Sequence, residues 1–352
     1  HPKEHIFFDP TSYKIVYSAW ESTDLHPDWK RNMMQGDEIW ATSDWVADVW
    51  KNLFPNKEIF TYKHGINQEW KPRLRKESHK PFTFLHVGEP YARKDGQLVV
   101  DSFIELYGNN PDYRLVLKAN GINTIKVKDP RHGFLSSPAA CYENIVMIDN
   151  FLTNEQMIGL HELCDVFVYP SWGEGWGLQP MQALATGMPV ISTDGWADYY
   201  KYINWRVDSR WIISPWQDIH PGSMMKPEKE SLKEQMQKCV EEYDSVLQQT
   251  FRNAFKMHKE YDWLEVTKPA VARLNEIYNK YNDVVKLKDF DITMIDRIIF
   301  IGITFGLRFI SLMIIEWGLT TNLINSFYIA FLYYCLIYLL FFIFITMIVN
   351  VI

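Results

Sequence analysis

The chain has 352 residues and a net charge of −7, and its acidic balance argues against a general nucleic-acid surface. Without its apolar tail, about 290 residues remain, enough for two α/β domains. Four scattered cysteines, Cys141, Cys164, Cys239 and Cys335, offer neither a metal-ligand spacing nor a disulfide framework, so reducing surroundings are expected.

No amino-terminal signal peptide is expected, because HPKEHIFFDPTSYK carries charges and no apolar core. The first seventy residues read as strands over 13–19, 38–42 and 58–63, with helices over 29–34 and 44–54. Trp20, Trp29, Trp40, Trp45 and Trp50 cluster here. Aromatics at such spacing belong to a core more often than they stack on sugar or lipid, and core is the reading taken. A strand over 81–87 leads into GEPYARKDGQLVVDSFIELY, where Arg93 and Lys94 form a basic pair before a helix. Alone, such a pair also reads as part of a solvated loop. Strands over 113–118 and 144–148 flank a polar loop through Pro138, and the helix over 153–164 opens on a capping-box spacing, Thr153 with Gln156.

The stretch 165–193, DVFVYPSWGEGWGLQPMQALATGMPVIST, carries the most chemistry. The apolar run Val166 to Tyr169, broken by Pro170-Ser171, predicts a buried parallel strand. Gly173, Gly175 and Gly177 alternate with Glu174 and Trp176, so the backbone there can turn tightly and approach a ligand. A helix begins near Leu178 or Gln179 and ends at Gly187 and Pro189, followed by a strand over 188–192. A glycine-rich turn feeding a helix N-terminus presents unpaired N–H groups and the positive dipole end, which suits a diphosphate. Glu174 would repel phosphate, so its expected partner is a sugar hydroxyl; Gln182 is placed to bond a ribose by the same logic. The spacing equally fits an ordinary βαβ unit that binds nothing. The element order predicts a doubly wound parallel sheet, with both motifs at the carboxyl ends of strands.

Beyond it, a charged amphipathic helix over 230–261 is broken at Asp262-Trp263, and a second helix spans 266–281. The segment 298–315 is apolar apart from Arg308, and 327–349 has no charged residue and can cross a bilayer core of about 30 Å. Together they predict a transmembrane hairpin, with Arg308 facing the partner helix or the first segment tilted, re-entrant or interfacial. Lys286, Lys288 and Arg297 precede the first segment and the connector lacks Lys and Arg, which places the preceding domains on the cytosolic side. Asp289-Phe290-Asp291 has the form of a metal-binding Asp-x-Asp but sits in a linker, and it is set aside.

The run GEGWGLQPMQALATGMPVI resembles the donor-binding signature of the retaining GT-B glycosyltransferases of family four (glycosyl transferases group 1). The resemblance assigns Glu174 to hydroxyls of the transferred sugar, and Gly175, Trp176, Gly177 and Leu178 to the turn whose amides approach sugar and phosphate. Gln182 stands where the family has a second Glu that holds the ribose, which implies weaker ribose binding or a changed donor. Arg93 and Lys94 match the basic pair that neutralises the diphosphate, following a Gly that is Gly88 here. Glu89 stands where some members have another Arg. The pieces AWESTDLHPDW, DEIWATSDWVADVW and YKHGINQEWKP resemble the end of the family's acceptor domain and its hinge, and the last helix is expected to cross back onto that domain, with Trp263 as a packing residue. A full acceptor domain would be roughly twice as long, and the chain starts at His1 without a methionine, so a fragment or a natively shortened protein is expected. Some members carry a His near the place of Trp20-Glu21, where this chain has none. His64 is expected to pack or cap rather than catalyse.

The expected fold is therefore α/β and GT-B-like, a doubly wound parallel-sheet donor domain plus a partial Rossmann-like acceptor domain, with C-terminal transmembrane helices. The expected divisions are 1–72 (acceptor side and hinge), 73–262 (donor domain), 263–293 (crossover helix and linker) and 294–352 (membrane hairpin). The expected function is retaining transfer from a nucleoside-diphosphate sugar to an unidentified glycan, lipid or protein acceptor, with Glu174, Arg93 and Lys94 catalytic. No cofactor or metal is expected, and the expected place is a membrane, with the catalytic part facing the cytosol. The alternative is a non-catalytic membrane-anchored scaffold or binding module that keeps the fold. A phosphorylase would need a pyridoxal-binding lysine context that the sequence does not offer.

Overall fold

The computed structural model describes residues 12–89, 92–119 and 124–281. The chain opens with β1 (Ile15–Ser18), α1 (Pro27–Met34), β2 (Glu38–Ala41), α2 (Asp44–Leu53) and β3 (Glu58–Thr61). The three strands form a parallel sheet in the order β1-β2-β3. Both helices begin where the sequence provides for it: Pro27 occupies the first turn of α1, and the Ser43 hydroxyl accepts from the Val46 N–H at 3.2 Å to cap α2. Trp20 and Trp50 are buried, Trp29 and Trp45 pack partly buried against the same core with Val16, Met33, Val46 and Phe54, and Trp40, also buried, packs against Phe60 and Tyr62. The aromatic cluster is thus core, and each fully buried ring contributes on the order of 2–3 kcal/mol.

The larger sheet is built from β4 (Phe82–Val87), α3 (Gly96–Tyr107), β5 (Tyr113–Lys118), an antiparallel pair of two-residue strands β6 (Val127–Lys128) and β7 (Leu135–Ser136), α4 (Pro138–Cys141), β8 (Ile145–Ile148), α5 (Asn154–Leu163), β9 (Val166–Tyr169), α6 (Leu178–Ala185), β10 (Val190–Thr193) and β11 (Trp205–Val207). Its six parallel strands run β11-β10-β9-β4-β5-β8. Helices cover both faces, so successive strand residues alternate between two cores. Phe84, Val168 and Ile191 enter one core with α3, while Leu85, Phe167 and Val190 enter the other with α6. The order reverses between β4 and β9, and the crevice at the carboxyl ends of those two strands is the ligand position of a doubly wound sheet.

An antiparallel hairpin, β12 (Ser209–Ile213) and β13 (Ser223–Pro227), follows, then the long helix α7 (Lys229–Glu260) and α8 (Trp263–Tyr281). Leu232, Met236, Cys239, Tyr243 and Leu247 recur at helical spacing and enter the α3-side core. Several boundaries differ from expectation by a residue or more, and two of them have a local cause. α8 starts at Trp263 rather than 266, because the Asp262 carboxylate caps it by accepting from the Leu264 N–H at 2.8 Å. β10 starts at Val190 rather than 188, because the Met188 N–H still bonds the Ala183 carbonyl at the end of α6, at 3.0 Å. The polar loop through Pro138 holds β6, β7 and α4, elements too short to show a period.

α8 returns to the small sheet. Arg273 donates to the fully buried Glu38 at 2.8 and 3.1 Å, and the Tyr62 and Thr267 hydroxyls lie 3.2 Å apart. Cys141, Cys164 and Cys239 are free and buried. The predicted hairpin over 294–352, with Arg308 and Cys335, lies outside the described residues, as does Asp289-Phe290-Asp291. Among the described residues no helix is long and apolar enough to cross a membrane.

Candidate active site

The site grows from the ends of β4 and β9. After β4 the backbone passes Gly88, makes a short 3-10 turn at Ala92–Lys94 and enters α3 through Asp95. Asp95 adopts φ +52°, a left-handed conformation that glycine reaches more cheaply and that Asp tolerates better than most residues. Both of its oxygens are engaged. One caps α3 by accepting from the Leu98 N–H at 3.2 Å, and the other accepts from the Trp172 indole at 2.7 Å. The Trp172 backbone N–H donates to the Arg93 carbonyl at 2.9 Å, and the Arg93 guanidinium donates to the Gly173 carbonyl. The two loops are therefore laced into one wall.

Glu174 is the centre of that wall, 5% exposed. Its Oε1 accepts from Lys94 Nζ at 2.5 Å, Arg93 Nη1 at 3.0 Å, Ser171 Oγ at 2.5 Å and Tyr169 OH at 2.9 Å. None of these four bonds reaches Oε2. Lys94 also donates to the Tyr169 hydroxyl, and Tyr169 lies 3.3 Å from Gln179 Oε1. Burial alone would push the Glu174 carboxyl up, but Lys94 and Arg93, with hydrogen bonds from Lys94 and Ser171, hold it down at about 2. Burial depresses Lys94 against the pull of Glu174, whereas Glu174 and Glu21 outweigh burial at Arg93 and raise it. The phenol of Tyr169 is pushed up by burial and by the Glu174 charge beside it. The sequence expectation gave Glu174 a neutral hydroxyl as partner; its partners here are two cations and two hydroxyls of the protein, and among the described residues no hydrogen bond falls on Oε2.

The glycines answer to a neighbour as well as to any ligand. A Cβ on Gly173 would stand 2.1 Å from the Glu21 carbonyl oxygen, and one on Gly175 would stand 2.6 Å from Ala19 Cβ and 2.9 Å from Trp20 N. The Thr42 hydroxyl donates to the Gly175 carbonyl at 2.8 Å. The turn is thus pressed against the end of β1 and the segment after it. Gly177, at φ +83°, takes the position before α6 without a side chain to cap it. The Leu178 and Gln179 amides accordingly have no side-chain cap at the N-terminus of α6, and Pro180 has no N–H to satisfy. α3, closed by Asp95, lacks this feature.

The remaining expected residues are distributed around this wall. Leu178 is exposed at the start of α6, and Gln182 is half-buried one turn later with no side-chain hydrogen bond among the described residues. Trp176 is buried among His64, Tyr199 and Tyr261, and its indole donates to Met181 Sδ at 3.0 Å, so its ring belongs to the core. Gly88 backs onto Lys94 and His86, and Glu89 is exposed. His64 packs between Tyr17, Trp176 and Trp263 and is lowered by burial. Five site residues were not foreseen: Tyr169, Ser171, Asp95, Glu21 and His220. Ser171 follows the strand-breaking Pro170 and sits three residues before Glu174, the one local signal available for any of them. Among the described residues no group of three His, Cys, Asp or Glu is placed to hold a metal ion.

Residues 67–218 match the family described as Glycosyl transferases group 1. The chain is 27% identical over 197 residues to the lipopolysaccharide core biosynthesis mannosyltransferase LpsB of Rhizobium meliloti (strain 1021), a match covering 51% of this chain and 52% of that protein. It is 34% identical over 61 residues to the serotype-specific mannosyltransferase WbdA of Escherichia coli, covering 15% of this chain and 8% of that one. The chain thus spans about half, or less, of the length of these curated relatives. Among solved structures it is similar to WaaG, a glycosyltransferase involved in lipopolysaccharide biosynthesis (TM-score 0.51, 15% identity, 74% of this chain and 73% of that chain). It is also similar to an α,α-trehalose-phosphate synthase (UDP-forming) from Burkholderia vietnamiensis (TM-score 0.53, 10% identity, 77% and 68%). At such identities the structures establish the shared fold: the chain is α/β and GT-B-like, and its residues 67–218 are similar to the glycosyl transferases group 1 family.

Proposed function

We propose that this protein is a retaining glycosyltransferase that takes a sugar from a nucleoside diphosphate and passes it to a glycan or other hydroxyl-bearing acceptor. The observation that carries the reading is the convergence of Arg93, Lys94 and Glu174 beside the open N-terminus of α6, at the switch point of the large sheet. The two cations and the Leu178 and Gln179 amides would hold the diphosphate and stabilise the charge that grows on it as the leaving group departs. Glu174 would accept from hydroxyls of the transferred sugar through Oε2, while its Oε1 stays locked by the protein. The anomeric carbon loses its bond to the diphosphate oxygen and gains one to the acceptor oxygen. The acceptor proton goes to the departing diphosphate, so the step needs no separate protein base. Gln182 would meet the ribose as a neutral partner.

The mannosyltransferase relatives make a mannosyl donor the first to try. The apolar sequence beyond residue 294 supports membrane attachment with this domain on the cytosolic side, close to a membrane-bound acceptor. The second reading, a non-catalytic binding module, draws on Gln182 in place of a carboxylate. Calorimetric titration of the full chain in detergent with uridine, guanosine and adenosine diphosphate sugars tests the proposal. Binding of one donor, weakened by Glu174→Ala, is the expected result, with release of the nucleoside diphosphate separating the enzyme from the module. A folded protein that binds none of them overturns it.

A further inference from the structure

Glu21 follows β1 and is held at its backbone by the close approach of Gly173. Its carboxylate is 19% exposed and accepts no hydrogen bond among the described residues, although Arg93 Nη2 lies 3.7 Å from Oε1 and His220 Nδ1 lies 3.8 Å from Oε2. His220 comes from the loop between β12 and β13, with its ring packed against Trp20 at 5.5 Å between centroids. Its Nδ1 is buried and has no hydrogen-bond partner among the described residues. Both separations are too long for a direct hydrogen bond, and an oxygen bonded to both groups would lie to one side of the line joining them rather than on it. Buried polar groups left unpaired are costly, and a native chain keeps them where a ligand or an ordered water completes them.

The chemistry of the missing partner follows from the two groups. A carboxylate accepts and an imidazole nitrogen donates or accepts, so the bridging atom must itself be able to donate, as a hydroxyl does. Arg93 spans the gap to the rest of the site. It bonds Glu174 through Nη1 at 3.0 Å and reaches toward Glu21 with Nη2, so one guanidinium stands between two carboxylates carried by different sheets. We infer that Glu21 and His220 form a second hydroxyl-binding subsite, across Arg93 from Glu174, that takes a hydroxyl of a sugar. The inference rests on the nucleotide-sugar reading above, and the hydroxyl has two possible sources, the donor sugar and the acceptor. Burial lowers His220 to about 4, which keeps its ring neutral near pH 7 and its Nδ1 available as the partner of a neutral hydroxyl.

The test uses the full chain in detergent and compares wild type with Glu21→Gln and His220→Ala, after confirming that neither variant lowers the melting midpoint by more than a few degrees. Two quantities are read: calorimetric affinity for the nucleotide sugar that wild type binds and for its nucleoside diphosphate, and release of the diphosphate in the presence of methyl α-mannoside. A loss of about tenfold in nucleotide-sugar affinity, with the nucleoside diphosphate unchanged, assigns the subsite to the donor sugar. Unchanged donor affinity with diphosphate release slowed about tenfold or more assigns it to the acceptor. No change in either quantity overturns the inference and leaves a structural water as the occupant. Equal losses for nucleotide sugar and nucleoside diphosphate also overturn it, since Glu21 would then merely prop Arg93. Wild type that binds no nucleotide sugar defeats the functional proposal itself, a result distinct from either.

Discussion

Glu174 Oε1 and Lys94 Nζ lie 2.5 Å apart, so the residue expected to hold a sugar and the residue expected to hold a diphosphate are each other's partners. With Arg93 at 3.0 Å from the same oxygen, the cationic side of the site is already partly neutralised. An arriving anion must share Lys94 and Arg93 with a carboxylate that cannot leave, and only a ligand that also brings hydroxyls to Glu174 recovers the difference.

The first prediction follows from that competition. Glu174→Gln removes the internal anion, keeps the side chain's shape and leaves both cations available. Binding of a nucleoside diphosphate should tighten by about tenfold, or 1.4 kcal/mol, while the matching nucleotide sugar gains nothing or weakens. Paired calorimetric titrations measure both, and parallel weakening of the two ligands would refute the idea of competition.

A second prediction concerns acid. The Glu174 carboxyl sits at about 2 when folded, below its ordinary range near about 4.3. Its contribution to stability is therefore complete above the unfolded value and is lost as the pH falls from there toward 2, an effect on the order of 3 kcal/mol. Glu21 has the opposite sign: burial raises it, so it favours the folded state below the unfolded value, and this advantage is lost as the pH rises through the folded one. Melting curves between pH 3 and neutrality should show Glu174→Gln with a flatter acid limb. Glu21→Gln should be more stable than wild type near pH 7, as expected of a residue retained for binding at a cost to stability.

The parts of this fold that show in the sequence are those with a period. The run Val166 to Tyr169, the Thr153 capping box and the 3-4 spacing along α7 each report local physics, and each element is found within a residue or two of its expected place. The hairpin β12–β13 carries no such pattern, since only Met224 and Pro227 of its ten residues are buried. The same divide runs through the site. Arg93, Lys94 and Glu174 stand on two loops that a doubly wound sheet brings together, so motif and topology suffice to place them. Glu21 and His220 join them only through tertiary packing, across sequence separations that no local rule spans.

The glycine turn gives a third prediction, with an internal control. Gly173→Ala places a methyl group 2.1 Å from the Glu21 carbonyl, which must displace backbone on both sides. Overpacking of this kind costs about 1–3 kcal/mol and here also disturbs Glu174. Gly159, inside α5, has nothing within 4 Å of an added Cβ, so Gly159→Ala should stabilise by about 0.5–1 kcal/mol through helix propensity. Urea unfolding of the two variants should shift midpoints in opposite directions. Equal, small shifts would mean that the turn does not press on the segment after β1.

The last prediction addresses what ties α8 to the small sheet. Glu38 is fully buried on β2 and receives Arg273 in a forked contact at 2.8 and 3.1 Å, with Trp40 and Tyr13 donating at 3.0 and 3.1 Å. Removing the guanidinium strands a buried carboxylate, so Arg273→Met should cost about 3–5 kcal/mol. Glu38→Gln added to it removes the stranded charge, keeps an acceptor oxygen for the Trp40 indole and turns an amide N–H toward the Tyr13 hydroxyl, which can accept it, and should recover most of that loss. A double-mutant cycle of urea midpoints isolates the coupling. Additive losses would show that Glu38 is sustained by Trp40 and Tyr13 alone and that α8 is held through other contacts, such as the pairing of Tyr62 with Thr267.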